Sequence, residues 1–210
     1  MTPQNEHARL LASLAEEMAQ APTEESTATA ITHRALQFVP DADWVSLTLR
    51  ARRNRYLTLA ADGHEFYRSG DVTRDARWPN WGPQAGALGV RSMLSVRLLS
   101  SGSPTGAINF YATEAGRFDD RDEVDFATLY ASHVAIALSS SRQLEGLQSA
   151  AHSRHMIGYA QGILSERFGL DMQRSFDLLR RYSNETNLKL SEVAEQVALK
   201  GRLPDVSGDG

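Results

Sequence analysis

The chain has 210 residues, of which 41% are hydrophobic and 23% are charged, and its formal net charge at pH 7 is −4. This composition is typical of a globular protein, and a chain of this length can form one large domain or two small ones. No apolar stretch approaches the roughly 20 residues that cross a membrane. The first residues lack the basic-then-apolar pattern of a signal peptide. The sequence therefore predicts a cytoplasmic protein without membrane contact.

The residue types present also exclude several kinds of chemistry. The sequence has no cysteine, which excludes disulfides, thiolate nucleophiles and cysteine-ligated metal sites. Its six histidines show neither the His-x3-His nor the His-Glu-x2-His spacing of zinc sites. No nucleophilic serine elbow and no phosphate-binding loop is present. We therefore expect no catalytic residue, no metal and no cofactor, and the sequence does not predict an enzyme.

The middle of the chain has the alternation of polar and apolar residues that is typical of strands. Four strands are predicted, over 44–49, 56–60, 91–99 and 107–111. The first two are expected to form a hairpin around a basic turn. The segment 62–89 is rich in glycine, proline and tryptophan, which predicts a loop with a short helix near 85–88.

Apolar residues at helical spacing surround this region. They predict helices over 6–20 and 24–39, and a long helix that starts at 120 and runs towards 148. The order of elements predicts an α/β (α+β) domain in which helices flank one antiparallel sheet. On the long helix, an apolar seam extends beyond the sheet domain, which predicts a parallel coiled coil with a second copy of the chain. The alternative is that the seam packs on the C-terminal helices of its own chain. The seam consists of Val134, Leu138, Leu144 and Leu147.

The segment 154–197 predicts three short amphipathic helices joined by tight turns. Gly169 and Asp171 predict the first turn, with Asp171 as the N-cap of the second helix, and Ser191 predicts the N-cap of the third. Phe168 and Phe176 are expected to face the core of this bundle. From 142 to 203 the chain has nine Lys/Arg and seven Asp/Glu, a balance of +2, whereas the residues before 142 have a balance of −4. The more basic part of the chain is therefore C-terminal.

This segment carries three runs in register, AQGIL at 160–164, FDLLRRYS at 176–183 and NLKLSEVAEQV at 187–197. In these runs it resembles the ANTAR family of RNA-binding antitermination modules. The resemblance spans the three predicted helices, which makes it more specific than a single short motif. It implies a C-terminal three-helix bundle that binds RNA.

The polar faces of these helices carry side chains suited to phosphates and base edges. Gln161 can donate and accept at a base edge, and the donors near 187–191 lie beside the N–H groups of a helix start. Gly162 within a helix costs about 1 kcal/mol relative to alanine, which indicates either close packing against a helix or close approach of RNA. No exposed aromatic residue is expected, so hydrogen bonds should provide the readout. The predicted RNA contacts are Arg154, Gln161, Gly162, Arg180, Arg181, Ser183, Asn187 and Lys189.

The sheet domain has its own recognisable segments, DARWP at 75–79, GVRSMLSV at 89–96 and GAINFY at 106–111. In these it resembles the GAF family of bacterial small-molecule sensors. Family members have a longer insert with a helix that walls the ligand pocket, where this chain has only residues 64–73. The pocket is therefore collapsed, open or completed by a partner. Candidate ligand residues, which otherwise pack over the sheet edge, are Asp75, Arg77, Trp78 and Trp81.

Together the resemblances imply a GAF-like sensor over 1–141, a helical stalk over 142–152, an ANTAR-like domain over 153–203 and a disordered tail over 204–210. They imply a transcription antitermination regulator, a homodimer, that binds paired stem-loops in nascent mRNA and prevents terminator formation. A small-molecule or protein input at the sensor would control it. The alternative is a ligand- or protein-binding sensor whose C-terminal helices serve dimerisation. Under that alternative, charge changes at Arg180, Arg181 and Lys189 would be silent.

Overall fold

The computed structural model of the protein describes residues 23–49 and 65–203, together with positions 9, 12, 13 and 15–17. The predicted helix over 6–20 lies mostly outside the described residues. The predicted strand over 56–60, its hairpin turn and the predicted tail lie wholly outside them. The chain divides into two compact units, residues 1–143 and 144–210, which we call the sensor unit and the C-terminal unit.

The described part of the sheet has four antiparallel strands, β1 (Trp44–Leu49), β2 (Phe66–Ser69), β3 (Ser92–Ser100) and β4 (Ser103–Ala112). Their order is β1-β4-β3-β2. β3 and β4 form a hairpin whose two turn residues, Ser101 and Gly102, have φ of 49° and 76°. Positive φ at both positions matches the twist of the flanking strands in a tight hairpin. The predicted antiparallel sheet is confirmed.

Two elements lie inside the segment that the sequence predicts as a loop. β2 pairs with β3 from Phe66 to Ser69, and a strand of four residues is too short for alternation to reveal it. The short helix α2 (Trp81–Ala87) starts four residues before its predicted position at 85. Gly82 permits this packing, because a Cβ there would lie 2.0 Å from the Val72 carbonyl oxygen.

The other helices are α1 (Glu24–Ala35), α3 (Arg121–Phe168), α4 (Met172–Thr186) and α5 (Leu190–Lys200). Thr23 and Ser26 cap the start of α1 reciprocally, since each side-chain oxygen accepts from the other's backbone N–H at 3.0–3.1 Å. α3 is one helix of 48 residues, so the first predicted C-terminal helix is its last stretch. Within the described parts of the chain, no helix combines the length and the apolar character that a membrane span requires.

The core of the sensor unit lies between α1, α3 and one face of the sheet. Its largest buried side chains include Ile31, Leu94, Leu98, Ile108, Phe110 and Tyr130. The Tyr130 hydroxyl donates to the Ile31 carbonyl oxygen at 2.5 Å, and burial raises the pKa of Tyr130. Val134 and Leu138 are 0% and 3% exposed in this core. The prediction that these two residues form a dimer seam is therefore wrong, because they cover the sheet of their own chain.

The core of the C-terminal unit contains side chains from α3, α4 and α5, which confirms the predicted three-helix arrangement. Its buried members are Ala160, Leu164, Leu179, Tyr182, Val193, Ala194 and Val197. Two predicted core residues are misplaced. Phe168 is 55% exposed at the end of α3, and Phe176 is only half-buried while the neighbouring Ser175 is fully buried.

Candidate nucleic-acid interface

The second C-terminal helix, α4, has one buried face and one polar face. Ser175, Leu179 and Tyr182 recur at helical spacing on the buried face. The predicted N-cap is confirmed, because the Asp171 carboxylate accepts from the Arg174 N–H at 2.7 Å. The helix ends at Asn187, whose φ of +55° places it in the left-handed conformation that asparagine tolerates well. The side of α4 away from this face carries exposed polar residues, among them Arg174, Arg180 and Arg181.

An open groove of about 550 Å³ lies along the polar side of α4. We call it the arginine groove, and its lining residues are Leu170, Arg174, Asp177, Leu178, Arg180, Arg181 and Asn184. It brings together two predicted RNA contacts, Arg180 and Arg181. Sequence reasoning missed Arg174 and Asn184. A helical repeat of 3.6 residues places Arg174 and Arg181, seven apart, on one face, so this spacing could have revealed Arg174.

The carboxylates near these arginines hold them only weakly. The nitrogen-to-oxygen distances are 3.5 Å for Arg174–Asp171, 3.5 Å for Arg180–Asp177 and 3.9 Å for Arg181–Glu185. The arginine side chains are 76%, 64% and 70% exposed. Exposed ion pairs are worth about 0–1 kcal/mol, so each guanidinium can exchange its carboxylate for a phosphate at little cost.

Three more predicted contacts lie in the turn between α4 and α5 or in the last turn of α4 before it. Ser183 Oγ donates to the Leu188 carbonyl oxygen at 2.6 Å, and Asn187 supplies the left-handed residue, so both shape the turn. Lys189 is different, because its side chain is 82% exposed and its Nζ lies 3.6 Å from Glu192 Oε1. The predicted N-cap at Ser191 is wrong: Lys189 precedes α5, and its N–H donates to Glu192 Oε2 at 3.3 Å.

The remaining predicted contacts lie on α3. Gln161 Nε2 donates to the Met172 carbonyl oxygen at 2.9 Å, which ties α3 to the start of α4. Gly162 is exposed, and a Cβ at this position would meet no atom of the described residues within 4 Å. Close packing against another helix in the described part of the chain is therefore not the reason for this glycine. Arg154 is also exposed.

In the sensor unit, the four candidate ligand residues form one cluster. Arg77 Nη2 lies 2.6 Å from Asp75 Oδ2 and donates to the Arg68 carbonyl oxygen at 2.6 Å. The guanidinium lies 4.8 Å from the centre of the Trp78 ring, and Trp78 meets Trp81 edge to face at 5.9 Å. The hydrogen bond from Arg77 holds the pKa of Asp75 well below its ordinary value. The polar groups of this cluster fasten the loop to β2.

Comparison with known families identifies both units. Residues 56–139 match the GAF domain family and residues 145–197 match the ANTAR domain family. Comparison with curated proteins found no significant match.

Comparison with solved structures shows the fold of the sensor unit. The GAF domain of a phosphoenolpyruvate-protein phosphotransferase from Coxiella burnetii has 16% identity and a TM-score of 0.56, over 69% of this chain and 99% of that chain. A phytochrome photosensory core module from Stigmatella aurantiaca has 10% identity and a TM-score of 0.61, over 91% and 46%. Free methionine-R-sulfoxide reductase from Neisseria meningitidis, in complex with its substrate, has 17% identity and a TM-score of 0.51, over 65% and 90%.

The family matches also indicate the kind of protein. GAF domains are sensor domains and ANTAR domains are RNA-binding antitermination domains, and both are regulatory rather than catalytic. The matched ranges follow one another along the chain, as the two sequence resemblances predict. The chain therefore contains a GAF domain followed by a C-terminal ANTAR domain, which is the GAF–ANTAR architecture.

Proposed function

We propose that this protein binds paired stem-loops in nascent mRNA through its ANTAR domain and thereby prevents a terminator hairpin from forming. The observation that carries this proposal is the arginine groove, in which three exposed guanidinium groups surround half-buried Leu170 and Leu178. Guanidinium groups hold phosphates in a bidentate manner. The apolar floor suits the faces of unpaired bases, which are the part of RNA that proteins read in sequence.

The effect on transcription follows from mass action. A protein that binds one RNA fold and not its competitor stabilises that fold by RT ln(1 + [L]/Kd). While the protein is bound to the stem-loops, their nucleotides cannot form the base pairs of the terminator hairpin. We assign Arg174, Arg180, Arg181 and Lys189 to phosphates, and Arg154 to the RNA backbone near α3. Action on nascent transcripts places the protein in the cytoplasm, where a small molecule or protein bound at the GAF domain would supply the input.

Two stem-loops are best held by two copies of the chain, because the second contact then becomes intramolecular. Leu144 and Leu147 are 56% and 60% exposed, which leaves them available for a partner copy, unlike Val134 and Leu138. We place the sensor domain over 1–141, the stalk over 142–152 and the RNA-binding domain over 153–203. In this arrangement the stalk supplies the dimer contact and the ANTAR domain supplies the RNA contact.

The test is binding of the full chain to a labelled RNA with two adjacent short stem-loops, at two salt concentrations. A single stem-loop and a scrambled-loop RNA serve as controls. The groove variant is Arg180→Ala with Arg181→Ala. The charge-matched control is Arg74→Ala with Arg121→Ala, which removes two exposed arginines from the sensor unit.

We expect loop-dependent binding that the groove variant loses by at least tenfold and the matched control keeps. Equal losses in the two double variants would mean that only net charge matters and would contradict a specific groove. Weak binding that is equal for the three RNAs and disappears at high salt would overturn the proposal. In that case the C-terminal helices would be left with dimerisation, the alternative that the sequence also allows.

A further inference from the structure

Tyr159 on α3 is an exposed aromatic residue in the middle of the ANTAR match. Its side chain is 58% exposed, and within the described residues it makes no hydrogen bond or ring contact. The expectation that this unit exposes no aromatic residue is therefore wrong. An aromatic ring exposed on an RNA-binding module is a candidate platform for an unpaired base, because every base has a face that can stack.

The surface beside Tyr159 is unusually open. Gly158 and Gly162 lie within the same helix, and among the residues that the structure describes no atom lies within 4 Å of a Cβ built at either position. Each glycine costs a helix about 1 kcal/mol relative to alanine. Neither has a positive φ, so backbone conformation does not require glycine at these positions. What the two glycines provide is a flat strip on which another backbone can approach the helix closely.

The strip has a different border on each side. With about 100° of rotation per residue, Tyr159 projects about 60° to one side of Gly162, and Arg154 projects about 80° to the other side. Arg154 and Tyr159 are separated by about 7.5 Å along the helix axis. Arg154 is exposed and makes no ion pair within the described residues. A cation and an aromatic ring therefore border the same strip of helix surface.

The composition of the strip favours RNA over a protein partner. A protein that docks on an aromatic ring usually meets further apolar side chains around it. The apolar neighbours of Tyr159, Met156 and Ile163, are half-buried and pack against the core of the C-terminal unit. Its exposed neighbours are His155, Gly158, Gly162 and Glu166, none of which is aliphatic. The acidic Glu166 lies towards the end of the helix, away from Arg154, so phosphate is favoured at the Arg154 end.

We propose that Tyr159 is a base-stacking residue: an unpaired loop base of the bound RNA lies on its ring, the RNA backbone crosses Gly158 and Gly162, and a phosphate meets Arg154. This inference rests on the proposed RNA-binding function. It adds a second contact surface, on α3, to the arginine groove on α4. Stacking supplies affinity that salt does not screen, which suits a module whose charge balance is only slightly positive.

The experiment compares Tyr159→Ala with Tyr159→Phe, which keeps the ring, on the two-stem-loop RNA. Phe168→Ala is the matched control, because it removes another exposed ring from the same unit. Helical circular dichroism verifies that the variants fold. From the usual strength of base–aromatic stacking, we expect Tyr159→Ala to weaken binding about 5- to 150-fold. Tyr159→Phe and Phe168→Ala should bind like the wild type.

A second readout reports on stacking itself. The RNA carries 2-aminopurine at one loop position at a time, and its fluorescence should be quenched by wild type and by Tyr159→Phe but not by Tyr159→Ala. If the wild type binds and the arginine-groove variant does not, while Tyr159→Ala keeps full affinity and quenching, the stacking inference is overturned and the proposed function stands. If the wild type shows no loop-dependent binding, both the proposed function and the stacking inference are overturned. Equal losses in Tyr159→Ala and Phe168→Ala would also overturn it.

Discussion

Two arginines of the sensor unit and the three arginines of the groove are held in opposite ways. In the sensor unit, Arg77 and Arg91 contact the carboxylates of Asp75 and Asp71 at 2.6 and 2.9 Å, and these carboxylates are only 12% and 19% exposed. In the C-terminal unit, the groove arginines lie 3.5–3.9 Å from carboxylates that are 48–61% exposed. The first set is bound internally, whereas the second set is held loosely at the surface.

This difference shows how burial of the carboxylate decides the role of a cation. A half-buried carboxylate needs a close partner, because an unpaired charge removed from water is expensive. Its arginine is therefore committed to the fold. An exposed carboxylate is solvated by water, so the arginine beside it can break the ion pair and bind a ligand instead. Arg77 and Arg91 should therefore govern stability, and the groove arginines should govern binding.

The largest expected effect tests whether the two units are independent. Leu179→Ala removes a fully buried side chain from the core of the C-terminal unit and should cost about 2–5 kcal/mol. The three tryptophans of the chain all lie in the sensor unit, so their fluorescence reports on that unit alone. We expect urea unfolding followed by circular dichroism to show an earlier transition while the tryptophan transition stays in place. A matching shift in tryptophan fluorescence would show that the two units unfold together.

The second largest effect should destabilise the sensor unit and leave the C-terminal unit unchanged. Asp75→Ala leaves Arg77 without its carboxylate and should destabilise the sensor unit by about 1–3 kcal/mol. Tryptophan fluorescence should report the loss directly, because Arg77 lies against Trp78. Asp125→Ala is the control, an exposed carboxylate on α3. RNA affinity should be unchanged in both variants, and a loss of affinity in Asp75→Ala alone would contradict the division of roles.

Acid should weaken the sensor unit through the same carboxylates. Hydrogen bonds from Arg91 and Thr73 lower the pKa of Asp71 from 3.8 to about 2, and the hydrogen bond from Arg77 lowers that of Asp75. A group with a depressed folded pKa contributes stability above its unfolded value and loses it as the pH falls through the folded value. We therefore expect that, below about pH 4, the unfolding transition followed by tryptophan fluorescence has its midpoint at a lower urea concentration. Asp71→Asn should reduce this pH dependence, and an unchanged dependence would mean that other groups cause it.

Sequence reasoning worked where a residue type has one local use. Gly169 and Asp171 each fit a helix end, and both predictions are confirmed. Sequence reasoning failed where more than one structure could cover the same apolar face. The spacing of Val134 and Leu138 shows an apolar face, but only the fold shows that the sheet covers it. β2 was missed because an edge strand of four residues beside Gly70 has too little alternation to detect.

The candidate site was predictable in part for the same reason. Arg180 and Arg181 stand out as adjacent charges, and the structure places both in one groove. Arg174 belongs to the same groove, and in the sequence only its spacing of seven residues from Arg181 distinguishes it from other surface arginines. The exposure of Tyr159 was missed because helical spacing places it at the edge of the apolar face, where burial depends on the neighbouring helix.

The smallest expected effect separates folding from binding at a single residue. Gly162→Ala adds a methyl group to open space within α3, and it should stabilise the C-terminal unit by about 0.5–1 kcal/mol through helix propensity. If RNA backbone crosses this strip, the same methyl group should weaken RNA binding severalfold. Stability and affinity would then change in opposite directions.

Gly146→Ala provides the matched control, because it lies in the same helix and also has open space around the added methyl group. It projects at least about 100° away from Leu144 and Leu147, so it is outside both the strip and the proposed dimer contact. It should raise stability without changing affinity. A single substitution that improves the fold and impairs the function is difficult to explain by damage to the protein. If Gly162→Ala binds RNA as well as Gly146→Ala does, then RNA does not approach α3 at this point, and the arginine groove alone must provide the contact.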